Sequence, residues 1–202
     1  MKPFAESCEE NKKPILEILR EYFADVHQVL EIGSGTGQHA VYFSKKLPHL
    51  HWQPSDLKEN LAGINTWLEE AKRTNISPPF ELDVNQNPWP ALNADAVFSA
   101  NTAHIMDWPS VEKMFTGIGL ILKPQGLFCL YGPFNFHGEF SSKSNEEFDQ
   151  WLKLRNPDSG IRDIDDLVDL GCIHKLRLVQ NYEMPVNNRL LVWQKVKIIE
   201  LI

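Results

Sequence analysis

Residues 29–40, Val29-Leu30-Glu31-Ile32-Gly33-Ser34-Gly35-Thr36-Gly37-Gln38-His39-Ala40, constrain this chain more than any other stretch. The apolar run predicts a short buried strand, and three glycines at alternate positions predict a tight turn that opens a helix. Glycine suits such a turn because a residue without Cβ takes positive φ and lets a ligand approach the main chain closely. A strand, a glycine turn and a helix in that order form a nucleotide-type pocket.

Spacing separates the pocket types. A dinucleotide-binding turn wants G-x-G-x-x-G, with the third glycine packing helix on strand; Gln38 stands in that place, which argues against a nicotinamide oxidoreductase. A phosphate-binding P-loop needs Gly-Lys followed by Ser or Thr, and no such pair follows. What remains, Glu-x-Gly-x-Gly-x-Gly, resembles the first motif of the class I S-adenosylmethionine (SAM)-dependent methyltransferases. The resemblance implies that Glu31, Gly33, Ser34, Gly35 and Gly37 hold the methionine and ribose part of the cofactor.

At 202 residues the chain predicts one domain, 1–202, large enough for a real core. Its 43% hydrophobic and 23% charged residues are ordinary for a globular protein. The net charge of -7 argues against nucleic acid as a partner, and no run reaches the roughly 20 apolar residues of a membrane span. Without a signal-like start, the cytoplasm is the expected location. Cys8, Cys129 and Cys172 are scattered without metal-like pairing, which suits reduced thiols and predicts no metal.

In chain order, residues 1–13 read as polar and irregular, ahead of a helix that Pro14 opens; the N-terminal helical region is taken as 1–24. Ile15, Leu16, Ile18, Leu19, Tyr22 and Phe23 place one apolar stripe on a core. Asn11 and Lys12 are candidates to reach the cofactor carboxylate or a substrate, or else belong to a solvated lead-in. The next helix, 37–47, offers free first-turn N–H groups that suit a carboxylate, and His39 in that turn is expected to pack or cap. Leu50–Asp56 reads as a second strand with Asp56 at its C-terminal edge, where an acidic side chain accepts ribose hydroxyls; Leu57 follows as a cofactor contact. The alternative for Asp56 is an ordinary turn residue and cap. A helix over 58–73 leads to a third strand, Phe80–Val84. In the methyltransferase pattern Asp83 accepts from the adenine amino group and Val84 packs on the ring; as a turn residue Asp83 has the same alternative as Asp56.

The fourth strand, Asp95–Ala100, ends in Asn101-Thr102-Ala103-His104-Ile105-Met106-Asp107-Trp108. Ligands of open α/β sheets bind outside the carboxyl ends of the strands, so Asn101 is a candidate to line the cofactor. His104 and Asp107 are the nearest titratable groups, with His104 the candidate base and loop packing its alternative. No Asp-Asn-Pro-Pro-type tetrapeptide follows this strand, which argues against methylation of nucleobase or glutamine nitrogen. An amphipathic helix from Pro109 leads through the turn Lys123–Gly126 to a fifth strand, 127–131. Residues 132–170 then read as a lid insertion. Tyr131, Phe134, Asn135, Phe136, His137 and Phe140 suggest a partly aromatic substrate pocket, with His137 a second candidate catalytic group. Ser144–Glu147 reads as a capping box. Arg155 and Arg162 are candidates to hold an anionic substrate or to pair with the acidic stretch Asp163 to Asp169. Two β-rich runs, 174–183 and 190–196, form a closing hairpin.

The phrases Asn11-Lys12-Lys13-Pro14-Ile15-Leu16, Gly33–His39, Trp52–Asp56, Leu130-Tyr131-Gly132-Pro133-Phe134-Asn135 and Gly160-Ile161-Arg162-Asp163 are similar to an uncharacterised methyltransferase-like family, domain of unknown function 938. The resemblance covers nearly the whole chain, with Glu10 departing from the arginine expected before Asn-Lys. It implies an α/β, Rossmann-like class I methyltransferase fold: a mostly parallel seven-stranded sheet, a C-terminal antiparallel hairpin and helices on both faces. It also implies SAM as cofactor and a methyl transfer to a substrate it does not identify. The acidic charge and short lid point to a small molecule. The competing expectation is a non-catalytic module that binds SAM or S-adenosylhomocysteine (SAH). The oligomeric state is not legible.

Overall fold

The computed structural model describes residues 2–197, and its backbone separates into two compact units that divide after Ser99. The seven strands of the main sheet are mostly parallel, with an antiparallel C-terminal pair. The first unit supplies the order β3-β2-β1-β4 and the second β5-β9-β8.

In the first unit, α1 spans Glu6–Tyr22, β1 Gln28–Ile32, α2 Gln38–Lys46, β2 His51–Asp56, α3 Leu61–Ala71, β3 Phe80–Glu81 and β4 Ala94–Ala100, with a short 3-10 turn at Lys58–Asn60 before α3. β1 pairs in parallel with both β2 and β4. The neighbouring strands take up its edges, crossover helices cover the faces of a parallel sheet, and four of its five residues are buried. The core of this unit gathers Phe43, Trp52 and Phe98, whose ring centroids lie 5.4–5.9 Å apart. All three are fully buried, and such aromatics supply a large share of burial energy.

Helix α1 begins at Glu6, eight residues before the expected start, with Pro14 inside it. Glu6 and Glu9 in its first turn complement the positive helix end. Tertiary ties then hold that turn in place. The Ala5 N–H donates to Gln38 Oε1 at 2.7 Å, Trp67 Nε1 donates to the Pro3 carbonyl at 2.7 Å, and Lys2 pairs with Glu70. Packing thereby outweighs the single bond that Pro14 removes. β3 is also shorter than expected and stops at Glu81, so Leu82, Asp83 and Val84 lie beyond its end. Val84 stays buried all the same.

In the second unit, α4 spans Trp108–Ile121, β5 Leu122–Gly132, β6 Phe134–Asn135, α5 Lys143–Arg155, β7 Arg162–Asp163, α6 Ile164–Ile173, β8 Leu176–Met184 and β9 Asn188–Lys195. β9 runs antiparallel to both β5 and β8, as the hairpin reading requires. Phe115, Phe128 and Trp193 form its aromatic core, with centroids 5.2–5.5 Å apart. Three boundaries differ from expectation. β5 starts at Leu122 and carries the Lys123–Gly126 segment within it, Gln125 alone taking positive φ. α5 is capped by Ser142, which accepts from the Asn145 N–H at 3.1 Å, rather than by Ser144. The span expected as a lid contains a two-stranded parallel pair, β6 with β7, that places Phe134 beside Arg162 and Asn135 beside Asp163. Strands of two residues carry no readable period, so sequence alone could not show this pair.

Candidate functional site

The glycine turn is built as its sequence requires. Gly33, Gly35 and Gly37 adopt φ of +70°, +57° and +88°, a region that side chains with Cβ rarely enter. Gly37 also permits close packing, since a Cβ there would lie 3.2 Å from the backbone of Ile64 in α3. At Gly35 an added Cβ would meet nothing within 4 Å, so this glycine faces open space.

Two buried carboxylates flank the turn. Asp56, at the end of β2, accepts from the Gly35 N–H through Oδ2 at 2.6 Å and from the Leu57 N–H and Asn60 Nδ2 through Oδ1, each at 2.7 Å. An ionised carboxylate has about four lone-pair positions; the three donors leave a place on Oδ2. Glu31, in β1, is 2% exposed and accepts from Trp52 Nε1 at 2.9 Å. Burial pushes its carboxyl up to about 7; the Trp52 and Ser34 side-chain bonds oppose the rise, and the Asp56 charge adds to it. Leu57, beside Asp56, is 42% exposed, an apolar side chain left open next to the carboxylate. Asp83 accepts from the Asn85 N–H at 2.9 Å through Oδ1, as a turn aspartate does.

Helix α1 is fastened to this turn by residues that sequence reasoning assigned elsewhere or passed over. Gln38 is buried; besides receiving the Ala5 N–H, its Oε1 accepts from Thr36 Oγ1 at 2.9 Å, and its Nε2 donates to Glu9 at 2.8 Å. The residue that breaks the dinucleotide spacing is thus the clasp between helix and turn. Asn11 is buried with Oδ1 2.7 Å from His39 Nε2, so its carboxamide oxygen orders that ring. His39 stacks on Phe43 at 5.2 Å, and burial lowers its pKa to about 4; it packs, as expected. Lys12 pairs with Glu9 one turn away in α1 and lies 5.0 Å above the Tyr42 ring of α2. The Cys8 thiol is pushed up to about 11 by burial and by Glu31, which keeps it a thiol at neutral pH.

The second unit holds the other expected site residues. Asn101 takes a φ of +58° and donates its N–H to the Tyr131 carbonyl at 2.9 Å. Tyr131 and Phe134 are buried. His104 is buried against Phe148, with centroids 5.4 Å apart, and burial with the nearby Arg162 charge lowers its pKa to about 4. Its ring is therefore neutral at pH 7, but a weak base. Asp107 caps α4 by accepting from the Ser110 N–H at 2.8 Å, which holds its carboxyl below the usual range. His137, the second candidate catalytic group, lies at the surface. Its side chain is 84% exposed and its Nδ1 lies 2.6 Å from Asp165, so water and a surface partner surround it. Of the aromatic residues expected to line a substrate pocket, Phe134 is buried and Phe140 is 38% exposed.

Arg155 and Arg162 part company. Arg155 lies on the exposed side of α5, 4.6 Å above the Trp151 ring. Arg162 is turned onto main-chain carbonyls: Nε donates to Ala103 at 3.0 Å, and Nη2 to Asp158 at 3.1 Å and to Met106. Among the described residues neither forms an ion pair with the acidic stretch. Arg162 thereby fixes the 103–106 loop that carries His104. Its guanidinium also lines a cavity of about 440 Å³ with Trp108, Asn135, Ile161, Asp163 and Asp166. Of these, Asn135 and Arg162 were candidate site residues from sequence; Trp108, Asp163 and Asp166 were not. No group of three or more potential metal ligands occurs among the described residues, and no helix there is long and apolar enough to cross a membrane.

Comparison with known proteins gives one family and many solved structures of similar fold. The family described as protein of unknown function (DUF938) matches residues 2–195. Among solved structures, an O-methyltransferase family protein from Burkholderia thailandensis matches with a TM-score of 0.81 at 14% identity, over 92% of this chain and 56% of that one. PigF with SAH matches at 0.77 and 15% identity, over 91% and 55%. An O-methyltransferase family 2 protein from Planctomyces limnophilus, in complex with apigenin, matches at 0.74 and 14% identity, over 92% and 62%. This chain thus spans little more than half the length of those proteins. At such identities the shared property is the Rossmann-like methyltransferase fold.

Proposed function

We propose that this chain, which belongs to the family described as protein of unknown function (DUF938), binds SAM through its first unit and transfers the methyl group to a small molecule. The observation that carries the reading is the Gly35–Asp56 arrangement: a positive-φ glycine facing open space, its N–H bonded to a buried aspartate that keeps room for another donor.

The residues present fit the cofactor. Asp56 offers the remaining lone pair of Oδ2 to a ribose hydroxyl, and Asn60 Nδ2 can leave Oδ1 to free a second. Leu57 offers an apolar face for the adenine ring, and Val84 and Asp83 supply the wall and the acceptor that an adenine needs. Glu31 is a buried carboxylate whose ionisation a nearby cation would favour. Gln38 and Glu9 hold α1 against the turn. When bound, SAM supplies a methyl group activated on a sulfonium. The chain's remaining task is to hold a nucleophile in line, which by itself removes much of a barrier.

A second reading keeps SAM or SAH binding without transfer. It is favoured by the two histidines, one exposed and one a weak base. Incubation with methyl-labelled SAM and pooled small metabolites separates the two. Label in a small molecule, lost in Asp56→Ala, supports the enzyme. Cofactor binding with no label in any pool supports the module.

A further inference from the structure

Residues Lys2–Ala5, ahead of α1, carry no regular structure but are tied on two sides within the first unit. On one side they meet α3. The Pro3 carbonyl accepts from Trp67 Nε1 at 2.7 Å, Lys2 pairs with Glu70, and the Lys2 ammonium lies 3.5 Å from the Trp67 ring centroid. The Pro3 ring settles where α3 carries Gly63, since a Cβ there would come within 2.7 Å of Pro3 Cγ. On the other side the Ala5 N–H donates to Gln38 Oε1 at 2.7 Å, the same oxygen that accepts from Thr36 Oγ1 in the glycine turn.

These ties close a ring. From Gln38 and Thr36 it runs through the Gly35 N–H to Asp56 Oδ2, and from Asp56 Oδ1 to Asn60 Nδ2 at the head of α3. It then follows α3 to Trp67 and returns through the Pro3 carbonyl to Ala5. Both oxygens of Asp56 are thus aimed by groups that belong to the ring. Its weakest part is the segment itself: none of the four side chains is buried, and Phe4 is 59% exposed. A segment held by polar ties without a core of its own opens more readily than a packed helix. When it opens, Gln38, only 2% exposed, loses a donor, and α3 loses its tie at Trp67.

We propose that Lys2–Ala5 is a strap whose closure sets the cofactor affinity of the glycine turn, with Trp67 a positioning residue that acts through the strap. A closed strap holds Thr36, Gly35 and Asp56 in place before the ligand arrives, so less ordering remains to be done on binding. By reciprocity, a bound cofactor favours the closed strap by the same factor. The inference rests on the reading that this turn binds SAM, and adds to it how that binding is regulated.

Calorimetry with SAH and amide hydrogen exchange test it on the intact chain, on Trp67→Phe and on Ser77→Ala. Trp67→Phe keeps an aromatic ring and removes the Nε1–H donor. Ser77→Ala removes a bond outside the ring, 2.7 Å to His51 Nε2, and so measures what a general loss of stability does. Bound SAH should slow exchange of the Ala5 amide. Trp67→Phe should weaken SAH about fivefold, within the ordinary span of coupling between sites, and speed Ala5 exchange in the ligand-free protein, while Ser77→Ala leaves SAH affinity unchanged. Ala5 exchange indifferent to SAH, unchanged SAH affinity in Trp67→Phe, or equal weakening by Ser77→Ala overturns the strap and leaves the cofactor reading standing. Absence of SAH binding to the intact chain overturns both.

Discussion

Replacing Glu31 by glutamine should stabilise the ligand-free protein at alkaline pH and leave it little changed or weaker at acidic pH. Burial raises this carboxyl from an ordinary value near 4.5 to about 7. Below about 4.5 the group is protonated in both folded and unfolded chains and contributes no linkage. Between 4.5 and 7 the unfolded chain releases its proton while the folded chain retains it, so stability falls as pH rises. Above 7 the full penalty applies, about 3 kcal/mol at roughly 1.4 kcal/mol per pH unit. Glutamine escapes that penalty but accepts the Trp52 N–H bond as a neutral group, a loss of about 1 kcal/mol. The net expectation is a gain of about 2 kcal/mol at pH 8. Urea unfolding of both proteins at pH 5 and pH 8 measures it, with equal m-values required for comparison. A difference between the two proteins that does not change with pH would refute the buried-carboxylate argument.

The remaining expectations concern packing and the other buried groups. His39 and His104 have pKa values lowered to about 4 from 6.5 by burial. Stability should therefore be insensitive to them above pH 6.5 and fall as pH drops from 6.5 towards 4, with His39→Gln flattening that slope in acid unfolding curves. Gly37→Ala should cost about 1–2 kcal/mol from its φ of +88° alone, with further loss from the approach to Ile64, read as a lower urea midpoint. Phe43→Ala opens a cavity among Trp52, Phe98 and His39 and should cost about 3–5 kcal/mol in the same assay. Arg162→Lys loses the fork that binds three carbonyls. Its unfolding midpoint should fall, and exchange of the Gly160 amide, which donates to the His104 carbonyl at 2.9 Å, should rise.

The parts of this protein legible in sequence are those where local chemistry leaves one solution. Alternate glycines before an amphipathic run have few uses other than the turn they form, and Asp56 could be placed because a β-α-β unit fixes where the next strand ends. The hairpin was equally plain, since two β-rich runs separated by Pro185-Val186-Asn187-Asn188 have no helical period. What sequence could not show depends on partners distant in the chain. Asn11 and Lys12 look available in a polar N-terminus, and only the folded chain reveals His39 and Glu9 beside them. Arg162 reads as a free cation until three carbonyls converge on it. The start of α1 was misplaced because Pro14 is a strong local signal, whereas the ties from Ala5, Pro3 and Lys2 that overrule it reach residues 38, 67 and 70.

The central claim is that the first unit holds SAM through the glycine turn and Asp56. Calorimetric titration with SAM, SAH and NADH, on the protein and on Asp56→Ala, addresses it most directly. The account predicts saturable binding of SAM and SAH, no binding of NADH, and loss of both SAM compounds in the mutant with its unfolding midpoint still measurable. Binding of NADH alone, or SAH binding unaffected by removal of Asp56, would contradict it.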